Sequence, residues 1–294
     1  MRVSDAALSE VFDRGYTVVE GFLDDHSLRQ AREALFEVFP RPEAYFADPG
    51  AHARFARSQF AGQKYFPFRQ PALSRLVTHP DLVDAAERFC GTGDIELYKV
   101  ELWAKYAGAI DYDQPHHRDF GNHTMVVPRL DGEHPQMTSF VLLSDVTEEN
   151  GPTRVVPLEH TRDLPLVPIE QPPGAFADVE VSITAPAGSL FLYKTDVLHR
   201  GTDLKGHQAS RFVLLVDFQA RGWRWTGKQS WPNHAVMPGW VDAITAMTPR
   251  ERDLFGWPPP GDPYWNEQTL RDVQARYPEM DMTPYLPAEA AVAA

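Results

Sequence analysis

The spacing of hydrophobic residues changes about one third of the way along the chain. In the first third, apolar residues recur at helical spacing between Ser4, a suitable helix N-cap, and Gly15, a suitable stop. A second amphipathic helix is predicted after Asp24 or Asp25, and a further helix near residues 80–90. This part of the chain therefore predicts helices that each bury one face.

From Ile95 onward the pattern becomes that of β-strands. The stretch IELYKVELWAKY alternates with a period of two, which places Glu101, Trp103 and Lys105 on one face. Tyr98 is expected on the opposite face. The later stretches MTSFVLLSDV, VEVSITAPAGSLFLYK and RFVLLVDFQA predict more strands, so that roughly residues 95–220 form a β region.

The predicted organisation is a single domain over residues 1–294 that is mainly β with flanking α-helices. It has a helical N-terminal part at about 1–92, a β core at about 93–221 and a C-terminal elaboration at about 222–294. A stretch rich in Pro, Phe and Arg, roughly residues 40–71, is predicted to be a long loop. Thr248 begins a capping box, which predicts a helix in the C-terminal elaboration.

Composition and charge limit the kinds of partner and location that are expected for this domain. The net charge is −13, from 28 basic and 41 acidic residues, and an acidic protein repels a phosphate backbone, so nucleic acid is not expected as a partner. The chain contains neither a signal peptide nor a run of about 18 apolar residues, so no membrane span is predicted. Its single cysteine, Cys90, excludes an internal disulfide and favours a cytoplasmic location.

A cluster of polar residues, QPHHRDFGNH, precedes the later strands. His117 and Asp119 in this cluster have the His-x-Asp spacing, and His199 follows the apolar strand SLFLYK. Two imidazoles and one carboxylate form the facial triad of non-haem Fe(II) oxygenases, which leaves open positions on the metal. His116 is the rival for His117, but it lacks the one-residue spacing to Asp119.

A cation follows the third candidate ligand. Arg211 opens the strand RFVLLVDF, which is expected to place it beside the metal cleft. A 2-oxoacid bound to iron needs an anchor for its far carboxylate, and the fork of an arginine matches a carboxylate bidentately.

These features together resemble the phytanoyl-CoA dioxygenase (PhyH) family of Fe(II)/2-oxoglutarate-dependent oxygenases. The resemblance begins at FDRGYTVVEGFL, includes the His-x-Asp pair and LLSDVTEENGPTRVVPLEH, and ends at Arg211. It implies a double-stranded β-helix, or jelly-roll, related to the cupins. It also implies iron ligation by His117, Asp119 and His199, with Arg211 as the anchor of 2-oxoglutarate.

The resemblance extends to further candidate residues. Thr202 has the place of a hydroxyl residue that touches the same carboxylate, and Lys105 is a candidate for a second polar contact. Phe120 and His123, just past the iron pair, are candidates for lining the substrate cleft.

The implied activity is hydroxylation of an unactivated C–H bond in a small organic substrate, with O2 consumed and succinate and CO2 released. Halogenating relatives carry a small residue in place of the carboxylate ligand, so Asp119 favours hydroxylation or a related oxidation. Two alternatives remain open. One is a cupin-like metal enzyme without an oxoacid, which has no need of Arg211. The other is a non-catalytic β-sandwich binding module.

Overall fold

The computed structural model describes residues 2–58, 60–109, 113–128, 136–223, 226–235 and 237–287. Within these ranges a mainly antiparallel β-structure is flanked by helices, in agreement with the predicted class. None of the described helices has the length and apolar content that a bilayer crossing demands.

Most of the described α-helices lie in the first third of the chain and in its C-terminal part, and one short α-helix lies between them in the β region. Their bounds are α1 Asp5–Arg14, α2 Asp25–Val38, α3 Pro42–Ala47, α4 Pro71–Val77, α5 Pro80–Cys90, α6 Phe120–His123, α7 Trp231–His234, α8 Trp240–Ala246, α9 Pro249–Asp253 and α10 Glu267–Arg276. The hydroxyl of Ser4 accepts a hydrogen bond from the N–H of Ala7, and Gly15 ends α1 with a φ of 91°. Asp24 caps α2, and Thr248 forms the predicted capping box of α9. These helix ends are confirmed because they depend on local chemistry.

The strands form two antiparallel sheets. Their bounds are β1 Tyr16–Val19, β2 Gln63–Tyr65, β3 Ile95–Tyr106, β4 Gln136–Leu142, β5 Arg154–Val155, β6 Val181–Ser182, β7 Leu190–Lys194, β8 His199–Arg200 and β9 Ser210–Ala220. The larger sheet has the order β1-β7-β4-β9-β3-β2, and the smaller sheet has the order β6-β5-β8.

The two faces of β3 have different environments. Val100, Leu102 and Ala104 belong to the main hydrophobic core, together with buried residues of the flanking helices. The alternate residues line a cavity on the other side of the sheet. On that face β3 and β9 form the cross-strand pairs Lys99–Asp217, Glu101–Leu215, Trp103–Val213 and Lys105–Arg211.

One detail of β3 departs from strict alternation. The register with β9 shifts between Leu97 and Lys99, which marks a β-bulge. The Tyr98 hydroxyl lies 3.2 Å from Nδ1 of His123, and the Lys99 ammonium lies 3.5 Å from Nε2 of the same ring. Tyr98 is therefore not segregated on the opposite face as predicted, because a bulge turns consecutive side chains toward one side.

The stretch predicted as a loop between residues 40 and 71 contains structure. It includes α3, a 3₁₀ turn at Ala53–Phe55 and strand β2, which extends the large sheet beyond β3. The prediction of a continuous loop was wrong there, because the pairing of β2 with β3 depends on contacts distant in sequence.

Candidate metal centre

The structure brings His117, Asp119 and His199 together. One ligand atom from each residue lies within 4.8 Å of the others. Nε2 of His117 is 3.9 Å from Oδ1 of Asp119, and Nε2 of His199 is 3.6 Å from Oδ2 of the same carboxylate. Of the described residues, this is the group of histidine, cysteine and acidic side chains arranged to hold a metal ion.

The main chain sets the separation of the two histidines. His117 and His199 form an antiparallel β-bridge. The N–H of His117 donates to the carbonyl of His199 at 2.8 Å, and the reciprocal bond is 3.0 Å. Residues paired in this way carry their side chains on the same face of the sheet, and the ring centroids are 4.5 Å apart.

In both histidines the ring nitrogen Nδ1 lies within hydrogen-bonding distance of a backbone carbonyl. Nδ1 of His117 lies 3.0 Å from the carbonyl of Pro115, and Nδ1 of His199 lies 3.1 Å from that of Val197. A carbonyl only accepts, so Nδ1 carries the proton and the Nε2 lone pair is left to ligate a metal. Burial lowers the pKa of His199 to about 4, which keeps this imidazole neutral.

The candidate carboxylate ligand, Asp119, is oriented by a separate hydrogen bond. The hydroxyl of Tyr193 donates to Oδ2 of Asp119 at 2.6 Å. Burial alone would raise the pKa of Asp119, but His199, His123 and Lys99 hold it well below its ordinary value. Asp119 is therefore ionised, and two imidazoles beside one carboxylate are a donor set that fits Fe(II).

A buried network of ion pairs contacts the residues next to His117 and His199 in the chain. The carboxylate of Glu180, whose side chain is 2% exposed, accepts from Nε2 of His116 at 2.8 Å. It also accepts from Arg154 at 2.6 Å and from Arg200 at 2.7 and 2.8 Å. His116 precedes one candidate ligand and Arg200 follows the other, so Glu180 ties together the two chain segments that carry the imidazoles. The role of His116 is thus a contact to Glu180, which the sequence did not indicate.

The metal centre opens into a cavity of about 360 Å³. Its walls come from the large sheet, from the candidate ligands and from loops: Phe60, Gln63, Tyr65, Lys99, Glu101, Trp103, Lys105, Gln114, His117, Asp119, Asn122, Phe140, Thr153, Tyr193, His199, Gly201, Arg211, Val213, Leu215 and Lys228. Lys105 and Arg211 both line it and are direct cross-strand neighbours, 7% and 9% exposed. Two neighbouring cations in the cavity wall suit the far carboxylate of an oxoacid.

Three other residues that were predicted to contact the cosubstrate or to line the substrate cleft are not among the described residues of the cavity wall. The hydroxyl of Thr202 donates to the carbonyl of Pro152 at 2.7 Å, and it is the neighbouring Gly201 that lines the cavity. Phe120 and His123 are buried at 2% and 0% exposure. His123 contacts Tyr98 and Lys99 behind the described cavity wall.

Sequence reasoning missed several polar residues of the site. Lys99 and Asp217 form a buried ion pair of 2.7 Å. Burial alone would lower the pKa of Lys99, but Asp217 and Asp119 raise it above its ordinary value. The alternation of β3 placed Glu101 and Lys105 on one face, and extending it by two residues would have added Lys99. Glu180 carried no local signal, because it follows a long segment without regular strands or helices.

Comparisons with known proteins identify a family and solved structures of similar fold. The model of the phytanoyl-CoA dioxygenase (PhyH) family matches residues 12–213. Among solved structures, the non-haem alpha-ketoglutarate-dependent epimerase SnoN from nogalamycin biosynthesis is similar, with 22% identity, a TM-score of 0.53 and coverage of 73% of this chain and 80% of SnoN. SnoN has also been solved with Fe3+, alpha-ketoglutarate and nogalamycin RO.

A second similar structure is the non-haem alpha-ketoglutarate-dependent carbocyclase SnoK from the same biosynthesis. It has 18% identity and a TM-score of 0.53, over 81% of this chain and 92% of SnoK. At these identities the likeness concerns the fold. Comparison with curated protein sequences gives no significant match.

Proposed function

The chain belongs to the phytanoyl-CoA dioxygenase (PhyH) family, and from this premise we propose that it is an oxygenase that hydroxylates an unactivated C–H bond of a small organic molecule. The predicted family is confirmed, and so are the predicted cofactors Fe(II) and 2-oxoglutarate, by the family match and the His–Asp–His donor set. The observation that carries the proposal is that this triad opens into the same cavity as Arg211.

Each polar residue has a separate task in this proposal. His117, Asp119 and His199 would hold the iron, and the hydroxyl of Tyr193 would orient the carboxylate of Asp119. Arg211 would bind the far carboxylate of 2-oxoglutarate, and Lys105, its cross-strand neighbour, would add a second positive charge. The hydroxyl of Thr202 is engaged with Pro152, so anchoring rests on the two cations.

The bound iron and 2-oxoglutarate supply the oxidation, in which the oxoacid and O2 yield succinate and CO2. The chain supplies position and exclusion of water. Lys99 is paired with Asp217 beside the centre and is thereby held as a fixed positive charge. Phe140, Val213 and Leu215 form an apolar part of the wall, which limits the water around the reacting carbon.

For the architecture, we infer that the two antiparallel sheets are the halves of a double-stranded β-helix, and that the chain is one domain. Support comes from the likeness to SnoN and SnoK and from side chains of both sheets at one cavity. The proposed compartment is the cytoplasm, on the basis of the single cysteine.

The decisive experiment is anaerobic and needs no knowledge of the substrate. Fe(II) and then 2-oxoglutarate are added to metal-free protein, and the visible spectrum is recorded. We expect a weak, saturable charge-transfer band that disappears in His199→Ala and weakens in Arg211→Ala. His160→Ala is the matched control, because the side chain of His160 is 39% exposed and lies beside Glu159.

Each outcome has a distinct meaning. Iron binding without a band would replace the proposal with a metal enzyme that uses no oxoacid. Absence of iron binding would replace it with a non-catalytic binding module. Turnover of a substrate by Asp119→Ala at the parent rate would contradict the assignment of that ligand.

A further inference from the structure

The cavity contains an acid that the proposed chemistry does not use. We propose that Glu101 is the recognition site for a protonated amine, and that the substrate of this oxygenase is a small amine. The inference rests on the proposed function for the reaction, but the binding of an amine is a separate property.

Glu101 is buried and incompletely hydrogen-bonded. Its side chain is 1% exposed, and Oε2 accepts from the indole N–H of Trp103 at 3.1 Å. Oε1 has no hydrogen-bond partner among the described residues, and the ammonium of Lys228 lies 3.6 Å from it. A buried carboxylate oxygen without a hydrogen bond is costly, so a donor from a ligand would be stabilising.

The other charged residues that line the cavity have their own ion-pair partners or proposed roles. Of the described lining residues, the acids are Asp119 and Glu101, and Asp119 belongs to the metal centre. Lys99 is paired with Asp217 at 2.7 Å. The cations Lys105 and Arg211 lie further along the same face of β3 and β9, where they suit the oxoacid. Glu101 is thus the acid that remains for the substrate.

Aromatic residues lie near this acid in the cavity wall. Tyr65 is the cross-strand neighbour of Glu101, and the ring of Phe60 packs edge-on against Trp103 with centroids 5.3 Å apart. Phe60 and Tyr65 are 44% and 45% exposed, which places them at the cavity mouth. A carboxylate among aromatic rings is a favourable environment for an ammonium group, since ring faces attract cations.

The position of Lys228 supports the same preference. Its side chain, 31% exposed, already directs an ammonium toward Glu101, but at 3.6 Å it is beyond a good hydrogen bond. A substrate amine would take over this place with a shorter contact. Lys228 is therefore a competitor of the amine.

The volume of the cavity limits the size of the substrate. A cavity of about 360 Å³ lies near the lower end of the range for small-molecule sites, roughly 300–1,000 Å³. The proposed reaction requires 2-oxoglutarate in the same space, so the described walls leave room for a compact amine.

The test measures binding, by titration calorimetry on the metal-free protein, so it does not depend on turnover. The probes are benzylamine, cyclohexylmethylamine and isoamylamine, each compared with the alcohol of the same carbon skeleton. We expect each amine to bind at least about tenfold more tightly than its alcohol. Glu101→Gln should abolish this preference, while Lys228→Gln should increase the affinity for amines because it removes the competitor.

Glu96→Gln is the matched control, because Glu96 lies on the same strand and contacts Gln219 and Arg221 outside the cavity. Equal binding of amines and alcohols would overturn the proposal, as would a preference that survives in Glu101→Gln. Failure of every amine to bind at about 10 mM would also overturn it. The proposed function is tested separately by the band with iron and 2-oxoglutarate, which is recorded on the same preparation without amine.

Discussion

His117 and His199 hold each other in place through their main chains. Each donates its N–H to the carbonyl of the other, at 2.8 and 3.0 Å, and the imidazoles project from this bridge toward Asp119. The separation of these two candidate nitrogen ligands is therefore set by backbone hydrogen bonds that do not involve the side chains. We therefore expect metal ligation and folding to be separable at these positions.

Replacement of the His199 side chain should test that separation. His199→Ala retains the backbone bridge but removes one nitrogen ligand, so Fe(II) affinity should fall at least about 100-fold. The unfolding free energy of the metal-free protein should change by less than about 2 kcal/mol. Calorimetry and urea denaturation measure the two quantities, and unchanged iron affinity would remove His199 from the metal centre.

The anchor pair can be isolated by varying the oxoacid. Pyruvate has the same chelating end as 2-oxoglutarate but no distal carboxylate. Arg211→Met should weaken 2-oxoglutarate binding by roughly 10- to 100-fold, the usual scale for losing a charged hydrogen-bonded pair. Lys105→Met should have a smaller effect, and pyruvate should bind all three proteins equally. Half-saturation of the anaerobic charge-transfer band gives each affinity, and a parallel loss of pyruvate binding would refute the anchor role.

The network around Glu180 should influence the metal without touching it. Glu180→Gln weakens the contacts to His116 and Arg200, the neighbours of the two histidine ligands. We expect about a tenfold loss of Fe(II) affinity, as is typical for groups that orient metal ligands. Glu148→Gln is the control, since Glu148 contacts the same Arg154 but is 61% exposed. Equal affinities in the two variants would show that the network is not coupled to the centre.

The same carboxylate should make stability depend on pH. Burial alone would raise the pKa of Glu180, but hydrogen bonds from Arg200 and Arg154 lower it to about 2, against an ordinary 4.5. The folded state thus holds the charged form more strongly. This contribution is complete above about pH 4.5 and is lost as the pH falls toward 2. Urea denaturation of metal-free protein between about pH 3 and 6 should show a shallower slope for Glu180→Gln, and a slope equal to that of the parent would contradict the assignment.

Removal of one partner of the buried ion pair between Lys99 and Asp217 should lower the unfolding free energy. Asp217→Asn keeps an oxygen for the N–H of Ser139 but leaves the buried ammonium of Lys99 without its 2.7 Å partner. We expect a loss of about 3–5 kcal/mol in unfolding free energy. Lys99→Met in the same chain should restore much of it, because the buried charge is then gone. A single variant as stable as the parent would show that Asp119 alone balances Lys99.

Local chemistry made much of the fold predictable. The caps at Ser4, Asp24 and Thr248 are found where their hydrogen-bonding side chains indicated, since each cap involves residues three apart. The long strand β3 followed from alternation. Strand β2 did not, because three residues acquire their conformation from pairing with a distant strand.

The candidate site divides in the same way. The spacing of His117 and Asp119, and the place of His199 after a strand, were sufficient to predict that these three candidate ligands lie together. The ionic partners were not predictable, because Glu180 is 64 residues from His116 and Asp217 lies on a different strand from Lys99. Charged pairs of this kind are specified by the sheet register, which single-sequence patterns do not contain.

The separate support of Asp119 has a consequence for how substitutions affect the candidate metal centre. Its carboxylate is oriented by the hydroxyl of Tyr193, whereas the two histidines are aligned by a backbone bridge. A mutation at residue 119 therefore changes one coordination position and leaves the paired imidazoles in place. The candidate metal centre is thus modular: we expect the framework that carries the two histidines to tolerate a different side chain at residue 119.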